Sequence, residues 1–84
     1  MVKNTKTKYI YNNLRSEIIR AGFNKEDEFA ECIEMKPRTL KSRLMGKTPF
    51  NIDEIKVISF KLKEITGADE RKEFKYLFKV EGEN

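Results

Sequence analysis

Pro37 constrains this chain more than any other residue. Its ring fixes φ, it has no N–H to donate, and it pushes Lys36 before it toward an extended conformation. The apolar spacing on both sides is helical, with Phe29, Ala30 and Ile33 before the proline and Leu40 and Leu44 after it. Proline is tolerated only in the first turn of a helix, so these are two helices with a break between them, and Pro37 opens the second. Lys36 then occupies the cap position without a side-chain acceptor. The first backbone N–H groups of that helix are left to water or to a phosphate.

Gly22, Gly46 and Gly67 each follow a helical pattern, where a closing residue is wanted, and mark the remaining boundaries. The first helix is predicted from about Tyr9 to Ala21, with Tyr11, Leu14, Ile18 and Ala21 on one stripe. The second follows Asn24 as N-cap, with Asp27 three residues on, and turns Phe29, Ala30, Cys32 and Ile33 inward. A fourth helix opens with Asn51 and Glu54, a cap and its reciprocal partner, and Phe50 is placed to staple onto Ile55. Its core stripe is Ile52, Ile55, Ile58, Leu62 and Ile65. Val57 and Phe60 fall on roughly the opposite side, and a helix apolar on two faces touches two things. Phe74, Leu77 and Phe78 suit a short last helix, while the alternation of Phe74, Tyr76, Phe78 and Val80 suits a strand equally. Helix is the preferred expectation.

At 84 residues the chain holds one core. The fold class expected is all-α, a compact bundle of four to five short helices containing a helix-turn-helix. Residues 9–80 form the single domain, residues 1–8 a basic flexible arm and residues 81–84 a disordered tail. Charged and hydrophobic residues each make up 38% of the chain, the mix of a folded soluble domain. No apolar run is long enough for a membrane span or follows the Lys-rich start as a signal peptide would require. The lone Cys32 cannot form an internal disulfide, which fits a reducing cytoplasm, and it is expected as a small buried hydrophobe. The chain has no histidine, nucleophile elbow, phosphate loop or dinucleotide fingerprint. An enzyme, a cofactor, a metal and a small-molecule ligand are therefore not expected.

Charge is unevenly placed. From Met35 to Phe50 the cations are Lys36, Arg38, Lys41, Arg43 and Lys47, with no acid among them. From Asn24 to Glu34 the acids Glu26, Asp27, Glu28, Glu31 and Glu34 face only Lys25. Lys3, Lys6 and Lys8 form a third cluster. A basic segment without internal compensation repels itself, and a polyanion relieves that.

The run from Ala30 through Met35-Lys-Pro-Arg-Thr-Leu-Lys-Ser-Arg-Leu-Met-Gly-Lys-Thr48 resembles the core of the phage-repressor and Cro-like helix-turn-helix family. Ala30, Thr39, Leu40, Gly46, Lys47 and Thr48 match its pattern without a gap. Asn13-Leu14-Arg15, Thr48-Pro49-Phe50 and Tyr76-Leu77-Phe78 are similar to short phage-type members. The resemblance covers about residues 9–65. It implies binding of double-stranded DNA by a phage or prophage-type repressor or regulator that occupies an operator. Three departures stand out. Glu34 lies where the family has a turn glycine, which implies either a left-handed glutamate or another turn geometry. One extra residue separates Gly22 from Phe29. Glu26 replaces a neutral phosphate-contacting side chain, and a carboxylate repels phosphate.

With helix three in a major groove, Arg38, Lys41 and Ser42 are the base-reading candidates, Arg38 first because its fork bonds guanine O6 and N7 together. Lys36, Arg43, Lys47 and Thr48 are the candidates for clamping the DNA backbone. Val57, Phe60, Phe74 and Phe78 are the candidates for a weak homodimer contact. The competing expectation is a helix-turn-helix scaffold used for protein binding, as in an antitoxin-like or phage accessory module. The acids of helix two favour it, and the acid-free helix three favours DNA. Single-stranded nucleic acid lacks an aromatic platform among the cations.

Overall fold

The computed structural model describes residues 9–80. In order they form α1 (Asn12–Arg20), α2 (Glu26–Cys32), α3 (Pro37–Leu44), α4 (Ile52–Thr66), a single 3-10 turn (Glu70–Lys72) and α5 (Phe74–Leu77). No strand occurs among the described residues, so the all-α bundle expected from the helical spacing is the observed fold. The arm over 1–8 and the tail over 81–84 lie outside the described residues. The segment after Gly67 folds as turn and helix rather than as a strand. A lone strand would leave its backbone groups without a ladder, whereas the helix pairs them locally, as in Leu77 N–H to Glu73 C=O at 3.0 Å.

The core draws on every helix. Leu14 and Ile18 of α1, Phe29 and Ala30 of α2, Ile33 at its end, Leu40 and Leu44 of α3, Ile58 and Leu62 of α4, and Leu77 of α5 are all buried. Each large side chain removed from water contributes about 1.5–3 kcal/mol before ordering costs. Around this core the rings of Tyr11, Phe50 and Phe78 meet edge to face, with centroids 5.1–6.0 Å apart. That cluster joins the start of α1, the loop before α4 and the end of α5. Phe78, expected at a contact between subunits, is half-buried and packs its ring on Tyr11 and Phe50 within the subunit.

Several local expectations are corrected. Ile52 and Ile65, assigned to the core stripe of α4, are 65% and 42% exposed. At 1.5 Å per residue α4 is about 22 Å long, longer than the helices it packs on, so both its ends overhang the core. Cys32 is exposed rather than buried. At about 100° per residue it lies about 60° round α2 from Phe29, outside the arc that Phe29, Ile33 and Ala30 form. Lys25, not Asn24, caps α2, and it gives no side-chain bond. Glu28 instead reaches back to accept the Asn24 N–H at 3.2 Å. α1 begins at Asn12 rather than Tyr9, because Ile10 donates its N–H across the fold to Leu44 C=O at 3.0 Å.

Two charged residues are buried. Glu17 and Lys72 are 1% and 2% exposed. Lys72 Nζ donates to Asp69 Oδ2 at 3.0 Å and lies 3.9 Å from Glu17 Oε1, while Glu17 Oε2 accepts from Arg20 Nε at 3.2 Å. The Lys72 carbonyl accepts the Ser59 hydroxyl at 2.6 Å. These bonds fasten the turn after α4 onto α1 and α4, and the Lys72 ammonium holds the Asp69 carboxyl below its ordinary range.

Candidate nucleic-acid interface

α2 and α3 are joined by Ile33, Glu34, Met35 and Lys36. Glu34 has φ of 60°, so the left-handed alternative is the one realised, and by a glutamate where glycine is usual. The closure is otherwise regular: Glu34 donates to Glu31 C=O at 3.1 Å and Met35 to Ala30 C=O at 2.8 Å. Lys36 is extended, gives no side-chain cap and leads into Pro37 at the start of α3, as its position before proline requires.

α3 buries Leu40 and Leu44, leaves Thr39, Ser42 and Arg43 half-buried, and turns Pro37, Arg38 and Lys41 outward. Arg38 and Lys41 are exposed on the helix, Lys36 before it and Lys47 and Thr48 after it. Among the described residues none of these cations is paired with an acid. Ser42 is half-buried, and its Oγ lies 3.4 Å from Thr48 Oγ1, so the base-reading candidate touches a backbone-clamping one. The loop carrying Lys47 turns at Gly46, whose φ is 78°. A Cβ there would lie 2.5 Å from Ile10 Cδ1, so glycine suits the positive φ, and any other residue would also push the end of the Ile10 side chain aside.

Arg43 differs from its neighbours. Its Nε and Nη2 donate to Glu54 Oε1 and Oε2 at 2.9 and 3.0 Å, and both side chains are mostly buried. The bond to Arg43 holds the Glu54 carboxyl below its ordinary value and raises the Arg43 guanidinium in turn. The candidate phosphate clamp is thus bound to a carboxylate and ties α3 to α4.

Glu26, the acid that would repel phosphate, is also paired. Arg15 Nε donates to Glu26 Oε2 at 2.9 Å, and the guanidinium carbon sits 3.7 Å from the Tyr9 ring centroid. Neither Arg15 nor Glu54 was singled out as a site partner from sequence. Both pairs join residues eleven positions apart on different helices, which no helical period signals.

Behind the α2–α3 connection lies a groove whose walls are Ile33, Glu34, Met35 and the outer face of α4 at Val57 and Phe60. Val57 and Phe60 are 45% and 64% exposed, so the described segment after α4, residues 69–80, does not cover them. Phe74 is exposed too. The described residues include no cluster of acids and cysteine able to hold a metal, and no helix long and apolar enough to cross a membrane. In comparisons with known proteins, the chain matches no family model, no curated protein and no solved structure.

Proposed function

We propose that this chain is a sequence-specific double-stranded DNA-binding protein, a phage or prophage-type repressor or regulator that acts in the cytoplasm by occupying an operator. The observation that carries the proposal is the set of exposed cations Lys36, Arg38, Lys41 and Lys47 along one short helix and its flanks, unpaired with any described acid. The nearest objection, the carboxylate of Glu26, is weakened by its ion pair with Arg15. Arg38, Lys41 and Ser42 are the proposed base readers, and Lys36, Lys47 and Thr48 the proposed backbone contacts. Arg43 is reassigned as a positioning residue, because its fork already holds Glu54. Titration of purified protein against duplex DNA at several salt concentrations tests this. Lys36 and Lys47, together with Arg38 and Lys41 where they reach phosphate, make about two to four cationic contacts per subunit and give a log–log slope of about −2 to −4. No duplex binding at micromolar protein and low salt overturns the proposal.

A second function is supported by the groove beside Val57 and Phe60, an apolar strip flanked by Glu34, Lys56 and Lys61 of the kind that receives another protein. It fits the protein-binding scaffold, and it fits equally a weak homodimer that presents two copies of α3 to a twofold operator.

A further inference from the structure

We propose that Arg15 is a phosphate-contacting residue, held in position for that contact by Glu26 and Tyr9; this rests on the DNA-binding function proposed above. The two buried-edge arginines of the fold show why. Arg43 commits both Nε and Nη2 to one carboxylate, and its side chain is 19% exposed. Arg15 gives Glu26 only its Nε, and its side chain is 31% exposed. Its η nitrogens have no hydrogen-bond partner among the described residues. One face of the guanidinium is covered by Tyr9 and one edge is fixed by Glu26, so the remaining edge is a rigid fork with unspent donors. That is the geometry in which arginine recognises phosphate: the planar orientation is set in advance, and little side-chain freedom is lost on binding.

A series of contacts links this fork to the loop that follows α3. Tyr9 is followed by Ile10, whose N–H bonds Leu44 at the end of α3 and whose side chain packs against Gly46. Lys47 and Thr48 come next. A continuous chain of contacts therefore runs from the start of α2 through Glu26, Arg15, Tyr9 and Ile10 to the loop after α3. Glu26 orients Arg15 and has its own charge cancelled, so the pair presents donors without net repulsion.

The test separates a contact from mere charge cancellation. Salt-dependent duplex binding is measured for wild type, Arg15→Ala, Glu26→Gln, the double variant Arg15→Ala/Glu26→Gln, Arg15→Lys and the control Lys47→Ala. Arg15→Ala is expected to weaken all duplexes about tenfold and to make the salt slope shallower by about one unit. The double variant is expected to stay weak. Recovery of wild-type affinity and slope in the double variant would mean that Arg15 only neutralises Glu26, and would overturn the proposal. If Arg15→Ala does not fold by circular dichroism, Arg15→Lys decides: a retained slope with affinity several-fold lower supports the contact, and unchanged affinity overturns it. Loss of binding in Lys47→Ala with none in Arg15→Ala overturns this proposal and leaves the DNA function standing. A wild type that binds no duplex overturns both.

Discussion

Arg43 and Glu54 make two parallel hydrogen bonds, and Glu54 Oε1 also accepts the Asn51 N–H at 3.0 Å. The same carboxylate therefore closes the capping box of α4 and anchors the last turn of α3. The presentation of α3 depends on this side chain as well as on the core beneath it. Removing it should destabilise the fold and leave the outward residues of α3 chemically unchanged. Glu54→Ala is expected to cost about 2 kcal/mol, the scale of a charge-assisted pair plus a cap. Urea denaturation at neutral pH measures it, and a loss within error of zero would mean that the pair is solvated and idle.

The same pair has a pH signature. The Arg43 bond places the folded carboxyl of Glu54 below its ordinary value of 4.5. The unfolded chain then binds the proton more readily, so the contribution is fully present above about 4.5 and is lost as pH falls through the lower folded value. Folding free energy measured against pH should fall more gently across that acid window in Glu54→Gln than in wild type. Identical acid limbs in the two proteins would refute the assignment.

Reading and clamping by the proposed interface separate by substitution. Arg38→Ala should relax preference at one base position, at a cost of about 1–3 kcal/mol on the preferred site. Lys47→Ala should weaken all sequences alike and make the salt slope shallower by about one unit. Selection from random duplexes with each variant reads both effects. Uniform loss with unchanged preference in both would remove Arg38 as a reader.

Much of the fold was legible because its signals are local. Pro37, the Asn51–Glu54 box and the spacing of Leu40 and Leu44 each act within a turn or two of helix, and each appears where expected. The misreadings come from longer range. Ile52 and Ile65 fit the α4 stripe but overhang its neighbours, a matter of relative helix length that periodicity does not hold. Lys72 and Glu17 look like surface charges until α1 and the turn after α4 are brought together. At the proposed interface the exposed cations of α3 were legible as a run without acids. The partners Arg15 and Glu54 were not, because each comes from a neighbouring helix.

Glu34 offers a stabilising substitution. Its φ of 60° carries the left-handed cost of roughly 1–2 kcal/mol that glycine avoids. Glycine loses more chain entropy on folding, about 0.5–1 kcal/mol, so Glu34→Gly should stabilise by somewhat less than the strain it relieves. A higher melting temperature with an unchanged helical spectrum is the expected result. A lower one would show that the glutamate side chain makes a compensating contact.

The buried charges around Lys72 should behave as a coupled set. Glu17 Oε1 has no hydrogen-bond partner even in the wild type, and Lys72→Met removes the ammonium 3.9 Å from it, leaving a buried carboxylate with only Arg20 beside it, a cost of about 3–5 kcal/mol. Adding Glu17→Gln removes the uncompensated charge and should recover part of that loss. A double variant as unstable as the sum of the two singles would show no coupling, and chemical denaturation of all four proteins settles it.

Assembly gives the last prediction. The proposed homodimer uses the outer face of α4, where Val57 and Phe60 are exposed beside the groove. Consider two α4 helices antiparallel about a twofold axis between Val57 and Phe60. Val57 of one then meets Phe60 of the other, and the same register sets Asp53 opposite Glu64 and Lys56 opposite Lys61. The apolar centre attracts while the flanks repel, partly relieved where Lys61 holds Glu64 at 3.0 Å within each subunit. Such a dimer is weak, and screening of the flanking charges strengthens it. DNA binding responds in the opposite sense, because salt weakens phosphate contacts. Sedimentation without DNA should therefore show dimerisation rising with salt, and Phe60→Lys should abolish it and lower operator affinity. A monomer at all concentrations, with a 1:1 complex on a site lacking twofold symmetry, would remove the dimer from the mechanism.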